Sequence, residues 1–368
     1  MTPVRFITRA LAFAAGIGGA LLLLEGALRL LPVLSGTYAA EPRESWPIHT
    51  MIPNSTYTYS TGWNLQNIHH GRINNYGYVA PFDYSPANEG RAKDSAAGTV
   101  AVFGDSYVEA VMNTFGDTLQ GSLNDYLKTP RTVLNFGSAG AEMPDYLGTA
   151  PLVRRDFSPQ WAVIVITLGD FTRGFSAGPG YFKWQPDHSP PVKLVPEIHR
   201  SSLSKWLRTL ALIRYARGNL SLQPDQLIRL RRGADVADAA GPCHNEVLSK
   251  ADEALLEEFT QALAPALGLP PDHVILVFDS DRKAIYAGKT RDEVRRCLAR
   301  PARANDRLQE LATQAGMHVI DSYGVFKKYF DEGRGPLDRS PLDAHWNAAA
   351  HRLMAREVAG IIDRGADR

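Results

Sequence analysis

Ser106 follows a strand-like run, Thr99–Phe103, then Gly104 and Asp105, and a serine in that setting is a candidate nucleophile. The run is mostly β-branched or apolar and predicts a buried parallel strand. Asp105 is a favoured helix N-cap, so the spacing predicts a strand-to-helix turn. That turn places Ser106 on the carboxyl edge of a parallel sheet, where open α/β sheets hold their ligands. The backbone N–H of Ser106 then lies at the positive end of the new helix, where an oxyanion can be held. A serine nucleophile needs a base and a group that orients the base. Asp343 and His345 form such an acid–base pair, just before a helical C-terminal stretch whose cap is Asn347. Gly140, in "NFGSAGAEMPDY", frees the backbone for close approach and offers a second oxyanion N–H. Taken singly, these fragments also read as a capped helix start, a loop pair and a tight turn. His351 lies inside the last helix and reads as structural.

The elements around them alternate. Strands are expected at Thr99–Phe103, Thr132–Gly137, Trp161–Asp170, His273–Asp281 and from Met317 onward. Helices are expected over Asp117–Leu127, Ala302–Ala315 and Ala348–Ile362. This alternation implies a parallel sheet with helices on both faces. Phe175 to Gly268 is a long excursion between the third and fourth strands. Its stripe of Leu203, Trp206, Leu210 and Ile213 suits a substrate lid, a membrane-lying face or a packed helix.

The motifs together resemble the SGNH (GDSL-type) hydrolases. "FGDS" carries Ser106, "NFGSAG" carries Gly140, "ITLGDF" carries Gly169 and Asp170, and "DAHWN" carries Asp343 and His345. The resemblance runs from Thr99 to Ile362. It implies a three-layer α/β/α sandwich with a five-stranded, mostly parallel sheet of flavodoxin-like type. The apolar start with Glu25 and Arg29, and the "GRINNYGY" segment, are similar to membrane-anchored bacterial members. "DAHWN" is similar to proteins that acetylate exported polysaccharides. The implied chemistry is acyl transfer through an acyl-serine, with catalytic Ser106, His345 and Asp343 and no metal or cofactor. The substrate expected is an acyl, chiefly acetyl, ester on a glycan or lipid. An O-acetyltransferase and a non-catalytic binding member are the alternatives. The implied oxyanion groups are Ser106, Gly140 and position 169, supported by Asp105, Asp170, Thr172 and Arg173. At position 169 the family has an asparagine whose side chain donates to the oxyanion, and this chain has Gly169. Thr167, Thr172 or Arg173 is expected to stand in. If none does, Gly169→Asn restores a donor; if one does, that change brings no gain.

The chain has 368 residues, enough for one large or two small domains. Its 44% hydrophobic content supports a sizeable core, and 40 basic against 39 acidic residues leave a net charge of +1. No basic tract with interleaved aromatics is present, which argues against nucleic acid as a partner. Arg5 and Arg9 precede an apolar run that reaches Leu34. This predicts a single-pass inner-membrane anchor with the remaining chain on the periplasmic side. A signal cleaved after Ala39 or Ala40 is the other reading. Glu25 and Arg29 are placed to pair along one helix face. The expected division is an anchor over 1–35, an extended lead-in over 36–98, and the catalytic domain over 99–368 with a helical insertion at about 175–268. His69 and His70 read as a surface pair rather than metal ligands. Cys243 and Cys297, the two cysteines, are expected to bridge outside the cytoplasm. That bridge would close a loop of about 55 residues, worth roughly 4 kcal/mol.

Overall fold

The computed structural model describes residues 3–41, 43–87, 98–186, 188–196, 201–222, 246–295, 299–340 and 343–366. Cys243 and Cys297, and with them the expected bridge, lie outside the described residues. The chain divides into two compact units. One comprises Met1–Tyr38, Thr56–His70 and His199–Ala237; the other comprises Ala39–Ser55, Gly71–Ile198 and Asp238–Arg368.

The larger unit is built on five strands: Thr99–Gly104 (β1), Thr132–Gly137 (β2), Trp161–Ile166 (β3), Val274–Phe278 (β4) and His318–Asp321 (β5). They pair in the order β2-β1-β3-β4-β5, every pair parallel. Alternate residues of each strand enter opposite cores, because successive strand side chains point to opposite faces. Ala101, Phe103, Ile164 and Leu276 face the helices Met143–Phe157, Lys250–Leu267 and Arg300–Gln314. Val100, Val102, Val163 and Val277 face Leu119, Leu123, Phe326 and the helix Ala348–Ala366. The three central strands are buried along their whole length. That explains why they read as continuous apolar runs rather than alternating ones.

Four expected elements end differently, among them the strand expected to reach Asp281, which stops at Phe278. The helix expected over Asp117–Leu127 is broken into a 3₁₀ turn Phe115–Asp117, a short helix Leu119–Ser122 and a second 3₁₀ turn Leu123–Asp125. Thr118 starts the middle piece afresh by accepting from the Gly121 N–H at 3.1 Å. Leu119, Leu123 and Leu127, which would form one stripe of that helix, nevertheless stay buried. β3 stops at Ile166 because the next turn folds back on Asp170. β5 stops at Asp321, which caps a helix over Ser322–Asp331 by accepting from the Tyr323 N–H at 3.1 Å. Asp343 and His345 sit on a short strand, Asp343–Trp346, paired antiparallel with Asp338–Ser340. Asn347 caps the last helix as expected, accepting from the N–H groups of Ala349 and Ala350 at 3.0 and 3.1 Å.

β1 and β2 end side by side at the paired Gly104 and Gly137. A Cβ added at Gly137 would lie 2.2 Å from the Glu109 nitrogen, so the turn carrying Ser106 needs glycine there. Gly137→Ala is expected to destabilise the protein by about 1–3 kcal/mol through overpacking. It should also lower ester turnover by displacing that turn. Denaturant midpoints and turnover measured together check this.

In the smaller unit the helix Pro3–Arg29 contains a 23-residue stretch, Ile7–Arg29, long and apolar enough to cross a membrane. Glu25 and Arg29 pair at 2.7 Å along one face, as their spacing predicts.

Candidate active site

β1 delivers Asp105 and Ser106 to the carboxyl edge of the sheet, where a four-residue helix, Ser106–Glu109, begins. Asp105 caps it, its Oδ1 accepting from the Tyr107 N–H at 2.9 Å. Ser106 Oγ lies 2.8 Å from His345 Nε2. His345 Nδ1 lies 2.5 Å from Asp343 Oδ1, which also accepts from the His345 backbone N–H at 3.1 Å. Burial pushes the Asp343 carboxyl up, but its bonds to His345 outweigh that and hold it below its ordinary value. Ser106, His345 and Asp343, drawn from distant parts of the chain, thus form one hydrogen-bonded series. A serine hydroxyl so placed can pass its proton to the imidazole.

The His345 strand is clamped by groups that the sequence reading did not single out. The Tyr107 ring lies tilted beside the imidazole with ring centroids 5.0 Å apart, and its hydroxyl donates to the Ala344 carbonyl at 2.7 Å. Arg282, almost fully buried, donates to the Tyr107 hydroxyl at 3.1 Å, to Asp338 Oδ1 at 2.5 Å and also to Asp279. Trp346 Nε1 donates to Asp279 at 2.8 Å. The sequence signal was faint: Tyr107 and Trp346 flank the motif residues, whereas Arg282 and Asp279 follow the fourth strand with no recognisable spacing.

Gly140 has a φ of +84°, and only a residue without a side chain takes it freely. Gly140 and Ser106 line one open cleft of roughly 370 Å³. Among the described residues nothing accepts from the backbone N–H of either. The loop before Gly140 is held on both sides: Tyr181 donates to the Ala139 carbonyl at 2.6 Å, and Glu109 accepts from the Ala139 N–H at 3.1 Å. Burial pushes the Glu109 carboxyl up to about 7, and the Ala139 bond offsets only part of this. The native state therefore holds this proton more tightly than the unfolded chain, and stability falls as pH rises between the ordinary carboxyl range and about 7. Glu109→Gln keeps the acceptor and removes the titration. Its stability relative to the parent should improve by roughly 1.4 kcal/mol per pH unit across that window and stay constant above it. Urea titrations at several pH values read the difference.

Gly169 is the departure from the expected asparagine, and the structure gives it neighbours. Its φ is +101°, and a Cβ built on it would lie 2.5 Å from Arg173 Nη1. The Arg173 guanidinium thus fills the space into which a side chain at 169 would project. Arg173 is half-exposed and lines the cleft with Ser106 and Gly140. Its Nε donates to Glu142 Oε1 at 2.6 Å, its Nη2 to Asp170 Oδ1 at 2.9 Å, and its Nη1 to the Leu168 carbonyl at 2.9 Å. Asp170 is fully buried and holds the turn by accepting from the Thr167 N–H and the Tyr146 hydroxyl, each at 3.0 Å. Asp105, Glu142 and Asp170 are each pushed up to about 7, burial being the main cause. Thr167 also lines the cleft, but its hydroxyl bridges Asp105 and Asp170. Thr172 is spent elsewhere, donating to the Gly169 carbonyl at 3.2 Å.

His351, read as structural, is buried and accepts from the Leu119 N–H at 3.2 Å; burial pushes its imidazole down to about 3. His70 pairs with the Thr58 hydroxyl at 3.1 Å. Among the described residues no group of His, Cys, Asp and Glu is arranged to hold a metal ion.

A family profile described as GDSL-like lipase/acylhydrolase matches residues 100–358. A search of curated proteins finds no match. Solved structures similar to this chain include an acetyl xylan esterase variant from Geobacillus stearothermophilus, at 14% identity and a TM-score of 0.39, covering 72% of this chain and 94% of that one. The α/β hydrolase LAE5 from the metagenome of Lake Arreo aligns at 15% identity and a TM-score of 0.39, covering 74% of this chain and 96% of that one. A member of the lipolytic G-D-S-L family from Veillonella parvula aligns at 13% identity and a TM-score of 0.37, covering 72% and 98%.

Proposed function

We propose that this chain, which belongs to the GDSL-like lipase/acylhydrolase family, is a serine esterase that works through an acyl-serine intermediate. The observation that carries the reading is the unbroken hydrogen-bonded series from Asp343 through His345 to Ser106. In the proposed reaction His345 Nε2 takes the Ser106 proton while Oγ attacks the ester carbonyl carbon. The oxyanion receives the N–H groups of Ser106 and Gly140. Arg173 acts as the third donor, in the space a side chain at position 169 would otherwise fill. The intermediate collapses, the C–O bond to the alcohol breaks, and His345 returns the proton to the leaving oxygen. A second hydroxyl, from water or a sugar, then enters by the same route in reverse and frees Ser106. Asp343 holds the imidazole in the tautomer that accepts at Nε2.

The substrate class we infer is an acyl, chiefly acetyl, ester on a glycan or lipid. Residues 1–35 are proposed as a retained inner-membrane anchor and 36–98 as a lead-in. Residues 99–368 form the proposed catalytic domain, with its insertion at about 175–268, on the periplasmic side. Turnover of p-nitrophenyl acetate by the full chain, with and without an added glycan acceptor, tests the reading. Release of acetate supports an esterase, acetyl on the glycan a transferase, and no turnover by a folded chain counts against both.

A further inference from the structure

We propose that the segment Ser201–Leu222 and the tip of the hairpin formed by Ser55–Thr61 and Gln66–Ile73 form a collar that lies in the headgroup layer of an anionic phospholipid leaflet, around the point where the N-terminal helix leaves the bilayer; the proposal rests on the membrane-anchor reading above.

Four observations within the smaller unit carry it. The first is how the segment is tied down. Glu25, one turn before the end of the N-terminal helix, accepts from the backbone N–H groups of Ala211 and Leu212 at 3.0 and 2.8 Å. Ala211 is buried with Leu28 and Val33, which flank the helix end. Asn219 donates to the Ser60 carbonyl at 3.0 Å and accepts from the Leu34 N–H at 3.1 Å. The Tyr215 hydroxyl donates to the Trp63 carbonyl at 2.6 Å and so holds the hairpin tip. These bonds fix the segment and the tip at the level where the apolar span ends.

The second is where the tryptophans are. Of the six in the chain, Trp46, Trp161, Trp184 and Trp346 are buried in the larger unit. Trp63 and Trp206, 76% and 56% exposed, both belong to the smaller one. Exposed tryptophan at a span's end is the composition of a membrane interface. The third is the face it shares: Leu203, Trp206 and Leu207 fall at i, i+3 and i+4 of the helix Ser202–Leu207, on one side, and all are exposed. The fourth is charge. Beyond the span this unit's described residues carry Lys205, Arg208, Arg214 and Arg217 and no carboxylate, and Glu25 is already engaged. Basic residues beside an exposed aromatic face suit anionic headgroups.

The test uses the full chain in vesicles of mixed phosphatidylcholine and phosphatidylglycerol, with and without phosphatidylcholine brominated near the headgroup end of its acyl chains. Tryptophan emission is read together with flotation. Because the other four tryptophans are buried and the N-terminal helix has none, quenching reports on Trp63 and Trp206. The expected result is co-flotation with emission lowered about two-fold by the brominated lipid. That quenching should disappear in Trp63→Phe/Trp206→Phe, which still floats. Lys205→Glu/Arg217→Glu should weaken it. A chain that floats with unquenched tryptophans overturns the collar while leaving the anchor standing. A chain that does not float overturns the anchor and the collar with it.

Discussion

Ser106→Ala is expected to leave a folded protein whose ester turnover is lower by roughly 10³- to 10⁶-fold. The size follows from the position of the hydroxyl, whose one side-chain bond is to His345 at 2.8 Å. Removing it opens no large cavity and strands no buried charge, so the melting transition should stay where it is. His345→Ala should cost a similar factor, and the double variant little more than either single one, because the two groups act as a unit. Turnover of p-nitrophenyl acetate alongside thermal unfolding checks all three variants. Substantial activity in Ser106→Ala removes the serine from the mechanism.

The second large effect concerns Arg173. If its guanidinium serves the oxyanion, Arg173→Ala should lower kcat by about 10²–10³-fold, the usual cost of one such donor, with little change in KM. Part of any loss could instead come from Asp170 and Glu142, which would lose their ion pairs with Arg173. Arg173→Lys separates the two roles, since it keeps the charge but not the planar fork. It should hold stability and still lose rate. Gly169→Asn alone should bring no gain, because its φ of +101° and the 2.5 Å approach of Nη1 oppose any side chain there. Combined with Arg173→Ala, the same asparagine enters vacated space and should recover part of the lost kcat. Thr172→Ala should be nearly silent, its hydroxyl being bonded to the Gly169 carbonyl. Equal stability and equal kcat in Arg173→Ala would show that the third donor lies elsewhere.

How much of this was legible in the sequence depended on how local the signal was. The central strands were plain because burial on both faces makes them continuous apolar runs. Ser106, Asp343 and His345 could be named as candidates because Ser106 follows such a run and the other two lie just before a helix cap. The broken helix around Thr118 was missed because a leucine stripe looks the same whether one helix or three short turns present it. The end of β3 was missed because apolar character continues through Leu168, while the turn is set by Asp170 reaching back to Thr167. The clamp of Arg282, Asp279 and Tyr107 on the His345 strand joins residues far apart in the chain, and no spacing rule reaches that far. Gly169 was visible as a departure, but only the fold puts the Arg173 guanidinium in the space it leaves.

The central claim is that Ser106 is the nucleophile and that His345 activates it. The most direct measurement is covalent trapping with a fluorophosphonate, followed by intact mass and peptide mapping. A single adduct per chain is expected, on the peptide containing Ser106, formed slowly in His345→Ala and absent in Ser106→Ala. An adduct on another residue, or undiminished labelling of Ser106→Ala, would contradict it.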